Sequence, residues 1–256
     1  MRRPGEAQGA HRRQHRLEGA YNLRDLGDLP TEDGGRTSTG RVFRSDSLQS
    51  LTPGDVARLH ETLGVRSLVD LRGEDEVVAE GRGPLVARDV RYVNLPLVQE
   101  DGSLLSYLED GHTVDLVPRY LSYLDSPGRT MMRAIELISE AQDVPTVFFC
   151  AAGKDRTGVL SALVLRLVGV EPGAVVDDYL LSAESAEIIL RERLMPSPTY
   201  AQHIATLPPE VYRAEAATMR RFLAALEERF GGAERWALDA GLAPAVLDRL
   251  RTALRG

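Results

Sequence analysis

Apolar residues in this chain gather in short β-branched runs that alternate with longer stretches of helical period. Residues 146–149 are β-branched and aromatic, and 159–168 are apolar almost all round. This predicts a buried strand and a buried helix joined by a tight loop. Two further runs, 65–71 and 90–96, predict strands, with an acidic helix at 74–80 between them. Thr52, Pro53 and Asp55 have the chemistry of a helix cap, first position and first turn, and Gly64 ends that helix. Upstream, the turn signal Asp33, Gly34, Gly35 lies between 21–26 and 41–45, which reads as irregular strands around a hairpin. Strands alternating with helices predict an α/β fold around a sheet containing parallel strands, whose ligand crevice lies at the strands' carboxyl ends. Asp70, Arg72 and Asp101 fall at such ends, beside the loop at 150–156.

The remaining segments are less regular. Residues 101–128 form a polar insertion with a helix expected at 115–124 and a break at 126–128. After a break at 170–172 comes a helix over 173–182. The stretch 183–213 mixes charged helical residues with prolines and with Tyr200, His203 and Tyr212. An amphipathic helix at 214–230 ends at Gly231 and Gly232, and 236–256 reads as two short packing helices. Residues 1–16 hold five arginines and two histidines with almost nothing apolar, so they are expected to be a disordered basic tail before one domain at 17–256.

Composition narrows the classes. With 256 residues, the chain has ample core for one large domain. A formal charge of −7 argues against nucleic acid as a general partner. No apolar run approaches the roughly 18 residues of a membrane span, so no stable membrane insertion is expected. A single cysteine excludes an intramolecular disulfide and suits the reducing cytoplasm.

The chemistry concentrates in the loop. Cys150 ends the strand and Arg156 opens the helix, with five small or polar residues between. Consecutive backbone N–H groups in such a loop, with the positive end of the helix behind them, form a cradle for a phosphate-sized dianion. A cysteine attacks as the thiolate, which the helix end, Lys154 and Arg156 all favour. The planar fork of Arg156 suits two phosphoryl oxygens. Ala151, Ala152 and Gly153 let the backbone approach the ligand, and Thr157 offers a hydroxyl to the sulfur or to the helix end. A lone cysteine at a strand end is more often a small buried hydrophobe. The strand before it and the helix after it favour the phosphate site. Lys154 is the only lysine in a chain that otherwise uses arginine, so its place in the cradle invites a role, such as contact with a second phosphate.

The loop CAAGKDRTG at 150–158 resembles the signature of the protein tyrosine phosphatase superfamily, in the version found in bacterial tyrosine and phosphoinositide phosphatases. NLRDLG at 22–27, GRVFRS at 40–45, VDLR at 69–72 and DYLLS at 178–182 resemble further motifs of that family. The resemblance implies a central mixed, partly parallel sheet flanked by helices, a helical lid-like region at 183–213 and C-terminal helices. It favours Asp155 as a catalytic residue and places Asp101 where relatives carry a mobile acid. Asp70 is a third candidate acid, or with Arg72 a brace for the loop. One departure stands out: the residue before the cysteine is usually histidine in this family, and here it is Phe149. The implied activity is a cysteine-dependent phosphomonoesterase working through phosphocysteine. Its substrates would be phosphotyrosine proteins, with dual specificity toward phosphoserine and phosphothreonine or activity on phosphoinositides as further options, and its product inorganic phosphate, with no metal or other cofactor. The alternative is a phosphate-binding module without turnover.

Overall fold

The computed structural model describes residues 12–97, 108–109, 113–125, 128–141, 144–197, 199–201 and 209–255. The central sheet has five strands: β1 (Arg24–Asp25), β2 (Val42–Ser45), β3 (Ser67–Asp70), β4 (Arg91–Asn94) and β5 (Thr146–Phe149). Their spatial order is β1-β2-β5-β3-β4, with β1 antiparallel to β2 and every other pair parallel. The last of these strands in sequence thus lies at the centre. A separate two-residue ladder joins Leu108–Glu109 to Thr113–Val114.

Register sets the site. Ser45 and Asp70 both pair with Phe149, and Asp70 pairs with Asn94, so the four parallel strands finish level. Strand alternation then sends neighbours to opposite faces. Val147 and Phe149 join one core with Phe43, Leu59 and Leu68, whereas Phe148 and Cys150 join the other with Val42, Val69 and Leu160. Phe149 therefore points away from the face that receives the Cys150 thiol.

Among the described residues, ten helices flank the sheet: α1 (Pro53–Ala57), α2 (Glu74–Glu80), α3 (Val117–Ser122), α4 (Gly128–Ile138), α5 (Asp155–Leu167), α6 (Pro172–Leu180), α7 (Ala186–Ile189), α8 (Ala216–Phe230), α9 (Gly232–Asp239) and α10 (Pro244–Arg255). At the start of α1 the Thr52 side chain accepts from Asp55 N and the Asp55 carboxylate accepts from Thr52 N, a reciprocal cap with Pro53 in the first turn. α1 runs on into a wider turn over Arg58–Thr62, and Gly64, at φ +67°, ends it. From Thr157 to Leu167 every residue of α5 except Arg166 is buried. An all-round apolar helix has to be central, and each fully buried Leu or Val contributes about 1.5–3 kcal/mol. No helix among the described residues is long and apolar enough to cross a membrane.

The amino-terminal expectation needs correcting over its last residues. Arg13 is buried and donates to Asp178 Oδ1 and to the Asp25 carbonyl, both at 2.9 Å. The His15 ring meets Phe43 edge-on at 5.6 Å. Average composition signals disorder, but one arginine with a buried carboxylate to meet is enough to anchor its neighbours. The rest of the proposed tail, residues 1–11, lies outside the described residues.

Candidate active site

Beyond β5 the chain turns through Cys150 and reaches α5 at Asp155. Three successive carbonyls of this turn face outward and are held there. Ser47 N donates to Ala151 O (3.1 Å), Asn22 Nδ2 to Ala152 O (3.1 Å) and Gly153 O (3.2 Å), and Arg44 Nη2 to Gly153 O (2.8 Å). In a trans peptide the next N–H points the opposite way, so the amides of Ala152, Gly153 and Lys154 are aimed into the bowl above Cys150. Gly153 sits at φ +67°, and a Cβ there would lie 2.5 Å from Ser45 O. The glycine is thus required for packing against β2.

A buried ionic cluster stands behind the cradle. Asp178 on α6 receives Arg44 Nη1 (2.8 Å), Arg24 Nε (3.1 Å) and Arg13 Nη1 (2.9 Å), and Ser182 Oγ receives Asn22 and Arg24. Burial opposes ionisation of Asp178, but Arg24, Arg44 and Arg13 outweigh it and hold the carboxyl far below its usual range. Burial, reinforced by neighbouring Arg44, pushes Arg24 down to about 9. The motifs at 22–27, 40–45 and 178–182 thus meet as one brace for the loop. The sequence marked these motifs but not their joint task, because their partners are more than a hundred residues apart.

Arg156 is oriented by a residue that sequence reasoning passed over. Glu76 on α2 takes Nη1 at 2.5 Å and Nη2 at 2.8 Å, and Arg156 Nη1 also reaches Leu71 O (3.4 Å). Burial disfavours the Glu76 carboxylate, but Arg156 outweighs it and lowers its pKa. This leaves Nε–H and the second Nη2 hydrogen as a parallel pair for phosphoryl oxygens. In sequence, Glu76 looked like any acid in the first turn of a helix.

The candidate acids separate clearly. Asp70 is fully buried, grips Arg72 through both carboxylate oxygens and accepts from Tyr92 at 2.8 Å. It does not line the cavity, so the structure removes it as a general acid and leaves it as a brace. Its partner Arg72 also donates to Gly81 O (2.9 Å) and lies 5.6 Å over the Phe149 ring, a cation–π contact at the position of the family's usual histidine. Asp101 lies outside the described residues. Asp155 lines the cavity, pairs with Lys154 at 2.9 Å and accepts from Tyr120 at 2.6 Å. Burial would raise its pKa, but Lys154 and Arg119 outweigh that and lower it.

Two expectations fail on direction. The Lys154 ammonium donates to Val211 O (2.7 Å) and Arg213 O (3.4 Å) and meets Asp155 Oδ1 (2.9 Å), so its three N–H groups are used and none is left for a second phosphate. The Thr157 hydroxyl has no hydrogen-bond partner among the described residues, and the helix is not capped by a side chain, so it serves neither the sulfur nor the helix end.

A cavity of about 750 Å³ opens over the cradle. Cys150, Ala151, Ala152, Lys154, Asp155 and Arg156 line its base, Glu76, Arg119 and Tyr123 one side, and Ile189, Leu194, Tyr200, Val211 and Tyr212 the other. Six of the sequence-predicted loop residues are therefore brought together on this cavity, with side chains from 183–213 lining it as well, whereas Gly153 and Thr157 do not line it.

A thiol under inward-facing amides, with a guanidinium clamped beside it, defines the class of cysteine-dependent phosphatases. The chain belongs to the tyrosine phosphatase family, whose profile matches residues 15–256. It is 31% identical to the triple specificity protein phosphatase PtpB of Mycobacterium tuberculosis, over 94% of this chain and 98% of that one. It is 30% identical to a tyrosine-protein phosphatase of Nostoc commune, over 82% and 73%. A solved structure, the core catalytic domain of the PP-IP phosphatase SIW14 from S. cerevisiae, is similar at 15% identity and a TM-score of 0.39, covering 84% of this chain and 96% of that one.

Proposed function

We propose that this hydrolase removes phosphate from phosphotyrosine in proteins, through a phosphocysteine at Cys150, and releases inorganic phosphate. The observation that carries the reading is the cradle of turned-in amides above Cys150, with the free edge of Arg156 held beside it by Glu76. The Cys150 thiolate attacks phosphorus; the P–O bond breaks and its electron pair leaves with the phenolic oxygen. Arg156 and the amides of residues 152–154 bind the three non-bridging oxygens and stabilise the charge they gain. Water then attacks phosphorus, the P–S bond breaks toward sulfur, and Asp155 takes the water's proton. The tyrosines and aliphatic side chains of the cavity wall support an aryl phosphate as the preferred substrate. The described part of 183–213 supplies much of that wall, which supports its reading as the active-site cover. A free thiolate nucleophile suits a reducing compartment such as the cytoplasm.

Hydrolysis of p-nitrophenyl phosphate in the presence of a chelator tests the proposal. The native protein should turn over, and Cys150→Ser should bind phosphate with little change but release no nitrophenol. Tight phosphate binding by the native protein with no turnover would leave the binding-module alternative. Side-by-side rates on phosphotyrosine, phosphoserine and phosphothreonine peptides and on a soluble phosphoinositide rank the substrates. That set is chosen because the M. tuberculosis relative is named for triple specificity.

A further inference from the structure

Asp155 presents its two oxygens unequally. Tyr120 donates to Oδ1 at 2.6 Å, and the Lys154 ammonium lies 2.9 Å from the same atom. Among the described residues no hydrogen bond to Oδ2 is made, and the side chain, 29% exposed, faces the cavity beside Cys150 and Arg156. One oxygen is pinned and the other is open to the reacting group.

Tyr120 is built to do the pinning. It is fully buried on α3, with its ring edge-on to Tyr179 (6.4 Å) and Phe222 (5.9 Å). A phenol has one proton, and here it goes to the Asp155 carboxylate. Tyr179, whose hydroxyl is 2.8 Å from that of Tyr120, must therefore be the donor of that second bond. The resulting relay, Tyr179 to Tyr120 to Asp155, leaves the Tyr120 hydroxyl a single orientation. The ring packing alone would be met by phenylalanine, so the packing does not account for the hydroxyl.

We propose that Tyr120 is a positioning residue for the second chemical step: it fixes Asp155 so that Oδ2 accepts the proton of the water that hydrolyses the phosphocysteine. This rests on the proton-transfer role of Asp155 given above. The step balances: an O–P bond forms, the P–S bond breaks with its electron pair returning to sulfur as thiolate, and the water's proton moves to Oδ2. Groups facing Asp155 from the surrounding elements are Lys154, Arg119, Tyr120, Tyr123, Tyr179 and Tyr212, with Arg156 next in the chain. Burial, then the nearby Asp155 charge, pushes the Tyr120 phenol well above its ordinary value, so it stays a donor across the working range. Lys154 and Arg119 keep Asp155 ionised, the form a base needs.

Tyr120→Phe with p-nitrophenyl phosphate gives the test. Nitrophenolate is a weakly basic leaving group, so forming the phosphocysteine needs little help from an acid, whereas its hydrolysis needs the base. The variant should show a burst approaching one nitrophenolate per enzyme, then a steady state about tenfold slower or more. kcat and KM should fall together and kcat/KM should stay within about twofold. That preserved kcat/KM reports an intact cradle. Native kinetics, or a parallel fall of kcat and kcat/KM without a burst, would overturn the proposal. Asp155→Asn separates the two readings. If it bursts while Tyr120→Phe is native, only the role of Tyr120 fails; if Asp155→Asn itself keeps native kcat, the base assignment fails and this inference with it.

Discussion

The Arg156 clamp depends on one carboxylate, and Glu76→Gln isolates it. Glutamine keeps the size of the side chain and one acceptor oxygen, but turns the other end into a donor that faces an arginine N–H. Both partners are nearly shielded, at 12% and 11% exposure, so solvent screens the loss only slightly. Losing one charge-assisted bond costs about 1.5–3 kcal/mol. If that energy serves to hold the Nε–Nη2 edge against the transferring phosphoryl group, kcat/KM should fall roughly 10- to 150-fold. The fall should appear mainly in kcat, since the edge binds the oxygens most tightly as charge builds on them. Steady-state kinetics on p-nitrophenyl phosphate measure this directly, and thermal melts report stability alongside. Because Arg156 lowers the Glu76 pKa below its ordinary 4.5, the pair stabilises the fold above that pH and the gain is lost as pH falls through the lowered folded value. The acid destabilisation should therefore be weaker in Glu76→Gln. A variant with kcat/KM within twofold of native would show that Arg156 is oriented by something other than Glu76.

Lys154→Ala should lower kcat/KM equally, within about threefold, for a phosphotyrosine peptide and a soluble phosphoinositide, because the ammonium is spent on Val211, Arg213 and Asp155; a loss many times larger on the lipid would restore the second-phosphate reading. Asp46, beneath the loop, has its carboxyl pushed up to about 6 by burial; Oδ1 takes three hydrogen bonds and Oδ2 none among the described residues. A folded value above the ordinary 3.8 means that the native state holds the proton longer, so stability is full below that value and falls, by on the order of 3 kcal/mol, as pH rises to about 6. Denaturant unfolding at pH 4.5 and 7 should show this slope in the native protein and a flatter one in Asp46→Asn; equal slopes would count against it.

Local pattern made much of this molecule legible before any coordinates. Periodicity separated the strand at 146–149 from the all-round apolar helix after it, and the alternation of strands and helices led to an α/β fold around a sheet containing parallel strands, with its crevice at the strand ends. Those signals are local, because backbone geometry repeats every two or 3.6 residues along the chain. The five-residue gap between Cys150 and Arg156 likewise needs no distant partner to be read. Direction and partnership were another matter. Lys154 was visible as the only lysine, yet where its ammonium points depended on the carbonyls of residues 211 and 213 arriving from the other side. Asp70 ends a strand as a candidate acid does, and only packing shows it sealed against Arg72 and Tyr92. Arg13 looked like part of a basic tail until Asp178, 165 residues away, accounted for it. Glu76 was one acid among several until the fold set it against Arg156, 80 residues on. A charged side chain's role is decided by whichever group the fold leaves within hydrogen-bond reach, and that choice is made by packing across the whole chain, where no short stretch of sequence records it.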